Sequence, residues 1–132
     1  MTTGSCLCGV VRLRIDGPLS PIQVCHCRSC QKAQGAGFAA IVPVDEGQVT
    51  IESGVGDLTA FESSPGKTRV FCRHCGSPVF SRRAGQSELR LRAGILDASP
   101  DLEIASHAWC DEAPSWDLRE DHAPRYPGAR PI

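Results

Sequence analysis

The chain has 132 residues, which is enough for one domain and too few for two of ordinary size. Its 14 basic and 15 acidic side chains leave a formal net charge of −1, so no basic footprint indicates nucleic acid or an anionic membrane surface as a partner. Only 5% of the residues are aromatic, whereas 13 Gly and 10 Pro favour turns and short elements. We therefore predict a single domain over residues 1–132.

The ends and the apolar segments of the chain predict its compartment. The start, MTTGSCLCG, has no charged region followed by an apolar run, and no segment approaches the roughly 18 apolar residues of a membrane span. We therefore expect a cytoplasmic protein. In that reducing compartment, eight cysteines indicate metal ligands or catalytic thiols before disulfides, although export without a classical leader keeps disulfides as an alternative.

Alternation of apolar and polar residues predicts several short strands. It begins with VVRLRI, in which Val11, Leu13 and Ile15 share one face, and a single short helix is predicted around RSCQKAQ. The more continuous strand FAAIVPV follows, with Pro43 indicating an edge position or a bulge. The remaining predicted strands, in chain order, are QVTIES, TRVFC, PVFSR and ELRLRAG. This pattern predicts an all-β fold, with an irregular tail from about residue 120.

Seven of the eight cysteines fall into three groups. Cys6 and Cys8 form C-x-C, and a triplet forms C-x-C-x-x-C at Cys25, Cys27 and Cys30. Cys72 and Cys75 form C-x-x-C, while Cys110 stands alone. Two short chelating pairs can together make the tetrahedral four-cysteine arrangement of structural zinc.

Spacing alone leaves the division of these cysteines open. Cys27 and Cys30 could join Cys72 and Cys75 in an ordinary zinc ribbon, but the intervening segment exceeds the roughly 15–20 residues typical of such modules. We favour pairing Cys6 and Cys8 with Cys72 and Cys75. That choice leaves the triplet as three ligands with a vacant fourth position, the arrangement that separates catalytic from structural zinc.

The motifs SCLCG, CHCRSCQKAQGAGFAA, FCRHCGSPVF and ASHAWCDEAPSW together resemble one known family. It is the glutathione-dependent formaldehyde-activating enzyme family, which also includes centromere protein V. The resemblance covers about residues 5 to 127. The chain departs from the family's usual pattern at Gln31 and Lys32, where Arg often follows the last cysteine of the triplet, and in GAGFAA.

The resemblance implies a β-tent fold with two zinc ions per chain. It implies a structural zinc on Cys6, Cys8, Cys72 and Cys75, and a functional zinc on Cys25, Cys27 and Cys30. It also implies a carbon–sulfur lyase that forms or cleaves a glutathione S-adduct such as S-hydroxymethylglutathione. The partner would be a small-molecule thiol, glutathione. The alternative is a non-catalytic zinc-stabilised binding or scaffold module, which a closed fourth ligand on the second zinc would favour.

Other polar residues have two interpretations each. His26 is expected to point away from the metal, as a supporting or surface group, and His107 is either an active-site contact or a hydrogen-bonded structural histidine. Cys110 is either an idle thiol or a fourth ligand to the second zinc. The arginines of two predicted strands either meet the carboxylates of glutathione or form plain solvated surface; they are Arg82, Arg83, Arg90 and Arg92.

Overall fold

The computed structural model describes residues 1–98, 101–117 and 121–131. Within these residues the chain forms ten strands and one α-helix, which confirms the predicted all-β class. The strands are β1 (Thr2–Ser5), β2 (Arg12–Ile15), β3 (Ile22–Cys25), β4 (Ala39–Asp45), β5 (Val49–Ser53), β6 (Leu58–Ser64), β7 (Lys67–Cys72), β8 (Pro78–Arg83), β9 (Glu88–Arg92) and β10 (Ile104–Ala108). The helix α1 is Arg28–Gln34.

Two sheets pack around the main core. The smaller sheet is antiparallel, in the order β1-β2-β5, and β2 buries Leu13 and Ile15 while Arg12 stays exposed. These two side chains pack with buried residues of the larger sheet, among them Val42 and Leu91. Burial of one such side chain contributes roughly 1.5–3 kcal/mol. The apolar face that the alternation of β2 creates therefore stabilises the packing of the two sheets.

The larger sheet has seven strands in the order β10-β3-β4-β9-β8-β7-β6. Its register places Leu91 opposite Val42 and Phe80, in line with the apolar core. The neighbouring row places Ser81 opposite both Arg69 and Arg90. Because side chains alternate across a strand, Arg90 lies on the opposite face of β9 from Leu91.

Two features of the larger sheet differ from the expected antiparallel pattern. β10 pairs with β3 in parallel, with His107 opposite Val24. Pro43 lies in a central strand and not on an edge, although β3 pairs with β4 only as far as Ile41. The proline therefore lies beyond the end of β3, where its missing N–H interrupts no bond of that ladder.

The predicted helix is confirmed as α1. Its N-cap is Cys27, whose sulfur accepts from the backbone N–H of Cys30, and its C-cap Gly35 donates to the Gln31 carbonyl. The chain after residue 121 has no strand or helix in the part described, but it packs back on β10 through two backbone hydrogen bonds of His107. The N–H of His107 donates to the Pro124 carbonyl, and its carbonyl accepts from the N–H of Tyr126. Among the described residues, no helix has the length and apolar character needed to cross a bilayer.

Candidate metal centres and the adjoining pocket

The first cluster brings four cysteines from distant parts of the chain together. The sulfur atoms of Cys6, Cys8, Cys72 and Cys75 all lie within 4.8 Å of one another, so this group could hold a metal ion. The Cys6 and Cys8 sulfurs are 3.6 Å apart, and those of Cys8 and Cys72 are 3.8 Å apart. This is the grouping favoured from the sequence, and the ribbon pairing through Cys27 and Cys30 is not the one formed.

A tight turn presents each pair of this cluster. Gly9 has φ 81° and donates to the Cys6 carbonyl, while Gly76 has φ 76° and donates to the Cys72 carbonyl. Glycine adopts this left-handed conformation without the steric cost that a Cβ brings. The glycine that follows each cysteine pair therefore lets the chain reverse with two sulfurs pointing to one place.

The second cluster is local and lies where β3 passes into α1. The sulfurs of Cys25, Cys27 and Cys30 lie within 4.8 Å of one another and could also hold a metal ion. Cys25 and Cys30 are buried, whereas Cys27 is half-buried. The N–H of Cys30 lies 3.4 Å from the Cys27 sulfur, so the first turn of the helix fixes the direction of that ligand.

A guanidinium lies against the second cluster. Both terminal nitrogens of Arg69 are 3.8 Å from the Cys30 sulfur. Hydrogen bonds from the Cys25 and Cys27 thiols, together with the charge of Arg69, hold the pKa of Cys30 well below its usual value. Hydrogen bonds of the Cys25 thiol with Cys27 and with Cys30 raise the pKa of Cys25. Arg69 therefore brings a positive charge to the sulfurs of this cluster.

A second arginine is buried beside the cluster, so for Arg92 the interpretation as solvated surface is wrong, whereas Arg82 and Arg83 are exposed. Arg92 is 4% exposed and donates to Gln34, Ser81 and the Arg90 carbonyl. Burial lowers its pKa to about 10, so it remains a cation at neutral pH. The sequence shows Arg92 only as the outward partner of Leu91, because the helix that covers it is a tertiary feature.

Two histidines are buried behind the second cluster. His26 and His107 are fully buried, with 2.9 Å between His26 Nε2 and His107 Nδ1. His26 Nδ1 lies 3.2 Å from an Asp117 oxygen, and His107 Nε2 donates to Asp121 at 2.9 Å. His26 is thus a buried supporting group and not a surface one, and the structure places His107 in the hydrogen-bonded structural role.

Gln31 of α1 ties the helix to the segments that flank it in space. The Gln31 side chain donates to the His26 and Glu112 carbonyls, both at 2.8 Å. This glutamine occupies the position where the family pattern often has arginine, and here it is 7% exposed. Cys110, the first residue of the short 3-10 helix Cys110–Glu112, belongs to neither group of clustered sulfurs.

A basic pocket of about 450 Å³ opens beside the second cluster, and Cys25 forms part of its wall. Its charged residues are Lys67, Arg83, Arg90, Arg130 and a single acid, Glu88. Arg90 and Arg130 both donate to the Gln23 side-chain oxygen. The cavity has the size of a small-molecule site, roughly 300–1,000 Å³, and its charge suits an anion.

Several residues that lie near the clusters were not predicted from the sequence as part of the site. Lys67 and Arg69 alternate along β7, and that alternation was the available indication that both share a face. Nothing in the proline-rich tail indicates that Arg130 returns to β3, because this contact depends on tertiary packing. Trp109 also lines the basic pocket and is the one non-glycine residue with a positive φ, 56°, in the part of the chain described.

Comparison with known proteins identifies the family. Residues 1–112 match the family described as "Glutathione-dependent formaldehyde-activating enzyme". The chain belongs to this family. The two clusters and the basic pocket are therefore features of a glutathione-dependent formaldehyde-activating enzyme family member, and all seven clustered cysteines lie within the matched residues.

Individual relatives agree with this membership. The family member is 29% identical over 122 residues to a Halomonas elongata protein named "Putative glutathione-dependent formaldehyde-activating enzyme", covering 86% of this chain and 77% of that protein. It is 23% identical over 112 residues to a Schizosaccharomyces pombe protein named an uncharacterized lyase, covering 84% and 80%. A crystal structure of a Rhodobacter sphaeroides protein shares the fold, with a TM-score of 0.64, 20% identity, and 94% and 99% coverage.

Proposed function

We propose that this protein is a zinc-dependent carbon–sulfur lyase that forms or cleaves a glutathione S-adduct at the three-cysteine cluster. The observation that carries this proposal is the position of Cys25, which belongs to that cluster and also lines the basic pocket. A thiol bound at the cluster would thus have its charged groups beside four cationic side chains. Family membership and the names of the relatives support the same chemistry.

The donor atoms of both clusters fit zinc. Thiolate sulfur is a soft ligand, and four cysteines in a compact group are a common structural zinc site. We assign Cys6, Cys8, Cys72 and Cys75 to a structural zinc and Cys25, Cys27 and Cys30 to a functional one. Three protein sulfurs leave a tetrahedral ion one ligand short, and Cys110 is not among them.

The reaction needs no redox cofactor. A metal ion at the cluster favours the deprotonated form of a coordinated thiol, which is the chemistry it would supply. Adduct formation then joins the glutathione sulfur to a carbonyl carbon, and the carbonyl oxygen takes up a proton. Cleavage is the reverse, so electrons stay paired throughout. This activity belongs in the cytoplasm, where glutathione is the abundant small thiol.

The chain's own residues bind and orient the substrate. In this proposal the two carboxylates of glutathione pair with the basic residues that line the pocket, and its ammonium group pairs with Glu88. The basic residues are Lys67, Arg83, Arg90 and Arg130. Arg69 offsets the charge of the three sulfurs through its contact with Cys30. Trp109 contributes a ring to the pocket wall beside Cys25.

Calorimetry with a protein variant that lacks one cysteine of the cluster tests the proposal. Glutathione is expected to bind the wild type and to lose most of its affinity for Cys27→Ser, because the substitution removes one of three metal ligands. S-methylglutathione, which cannot become a thiolate, should bind the wild type more weakly than glutathione. Exchange NMR of glutathione with formaldehyde then measures whether the protein accelerates formation and cleavage of the adduct. Equal binding of glutathione to both proteins would contradict the proposal and favour the non-catalytic scaffold.

Two adjacent arginines provide a matched control for the pocket. Arg83 lines the basic pocket, whereas its exposed neighbour Arg82 pairs with Glu46 at 3.0 Å. An exposed charge pair is worth roughly 0.2–1 kcal/mol, so Arg83→Gln should weaken glutathione binding up to about fivefold. Arg82→Gln should leave it unchanged. Equal effects of the two variants would show that only general positive charge is felt.

A further inference from the structure

A separate cavity of about 420 Å³ lies near the three-cysteine cluster and differs in character from the basic pocket. Its walls include the rings of Phe61, Phe71 and Phe80, and its polar edge is formed by Arg69, Arg92 and Gln34. A hydroxymethyl group, the adduct of formaldehyde, contains one carbon. Adduct chemistry with formaldehyde therefore leaves this apolar volume without a role.

Helix α1 connects this cavity to the second cluster. Ala33 and Gln34 line the cavity and lie three and four positions after Cys30 in the helix. Residues at this spacing share one helix face. The face that presents the Cys30 sulfur therefore also forms one wall of the apolar cavity.

Strand β7 makes a second connection. Lys67 lines the basic pocket, and Arg69, two residues further on and on the same face, lines the apolar cavity. Arg69 is also the residue whose guanidinium contacts the Cys30 sulfur at 3.8 Å. The basic pocket and the apolar cavity are thus neighbours along one strand, and the sulfur cluster adjoins both.

We propose that the carbon group carried on the glutathione sulfur is an apolar group of several carbon atoms, and that it binds in the cavity lined by Phe61, Phe71 and Phe80. This inference rests on the proposed function, because it needs the glutathione sulfur at the three-cysteine cluster. The peptide part of the adduct occupies the basic pocket, and the S-substituent extends past Arg69 over the face of α1.

The exposure of one ring in the cavity wall is consistent with reversible binding of a ligand. Phe61, opposite Arg69 in the register of β6 and β7, is 64% exposed. Large exposed rings that face a concave surface are a common mark of a binding site, and the volume lies within the usual range for small ligands. A second copy of the chain is the competing occupant, since β6 is an edge strand.

Calorimetry with two S-alkyl glutathiones tests the inference. Each fully buried methylene raises affinity about fourfold, so partial burial of the five additional methylenes should make S-hexylglutathione bind the wild type at least about tenfold more tightly than S-methylglutathione. Ala33→Phe, which fills the cavity from an exposed helix position, should reduce that ratio to about threefold or less. Lys32→Phe adds the same ring one position away, outside the cavity, and should preserve the ratio.

The outcomes separate the two proposals. If unmodified glutathione binds the wild type but the hexyl and methyl ligands bind equally, the apolar subsite is wrong and the proposed function stands. If glutathione fails to bind, both proposals fall. If Lys32→Phe lowers the hexyl-to-methyl affinity ratio as much as Ala33→Phe does, the cavity does not bind the hexyl group and the inference is wrong. A concentration-dependent dimer that Ala33→Phe dissociates, with no hexyl preference, would assign the surface to a second copy and overturn the inference.

Discussion

Replacing Cys72 by serine should destabilise the protein far more than replacing Cys27. The sulfurs of Cys8 and Cys72 belong to one cluster although the residues are 64 positions apart, whereas Cys25 and Cys30 are only five positions apart. A metal on the first cluster therefore closes a long loop. From the logarithmic dependence of loop entropy on length, that difference alone is about 2 kcal/mol.

Two further effects act in the same direction. Cys72 is fully buried, so a serine hydroxyl left there without a metal costs about 1–3 kcal/mol unless it finds a partner. The triplet can also bind metal in the unfolded chain because its ligands are local, and such binding reduces the stabilisation of the folded state. The two pairs of the first cluster lie far apart when the chain is unfolded. We therefore expect Cys72→Ser to cost at least about 3–5 kcal/mol more than Cys27→Ser.

Urea unfolding of the metal-loaded proteins, followed by circular dichroism, measures this difference. A domain is stable by only about 5–15 kcal/mol, so Cys72→Ser is expected to unfold at low urea or to aggregate. Cys27→Ser is expected to stay folded with one metal ion fewer, and Cys110→Ser, outside both clusters, is the control with little change. Equal loss of stability in Cys27→Ser and Cys72→Ser would show that both clusters are structural and refute the reasoning.

Two other predictions concern metal content and acid stability. Protein purified without chelator should contain two equivalents of zinc, and a mild chelator should remove the zinc of the open three-cysteine cluster first, with an unchanged circular dichroism spectrum; a single equivalent resistant to chelation would contradict the two-site assignment. Hydrogen bonds from the Gly47 backbone and the Ser87 side chain lower the pKa of Asp45 from 3.8. The stability contributed by this carboxylate is present above the unfolded-state pKa and is lost as pH falls through the folded-state value, so the advantage of wild type over Asp45→Asn in urea unfolding should shrink below about pH 4. An advantage that is constant with pH would show that the charge of Asp45 contributes nothing.

Local sequence patterns predicted the elements whose cause is local. β2 and β9 alternate clearly because one face of each is buried against the core, and α1 carries its N-cap and its terminating glycine in the sequence. The short strands β1 and β3 have no such alternation. They are defined by pairing with partners distant in the chain, and the parallel pairing of β3 with β10 depends on contacts that periodicity does not encode.

The candidate site likewise has features that local sequence determines and features that only tertiary packing determines. Cysteine spacing indicates which residues can chelate, since short pairs in tight turns are a local property. Which pairs meet depends on how β1 and β7 are brought together, so the four-cysteine grouping was favoured from the sequence but needed the fold to be seen. Arg69 and Arg92 become neighbours of Cys30 and α1 only through sheet register and packing.

We propose that a zinc ion on the three-cysteine cluster binds the sulfur of glutathione. A crystal structure measured at the zinc absorption edge, with glutathione bound, tests this most directly. Two anomalous peaks per chain are expected. One should be surrounded by the sulfurs of Cys6, Cys8, Cys72 and Cys75, and the other by those of Cys25, Cys27, Cys30 and glutathione. A single peak, a second zinc closed by a fourth protein ligand, or glutathione bound away from the triplet would contradict it.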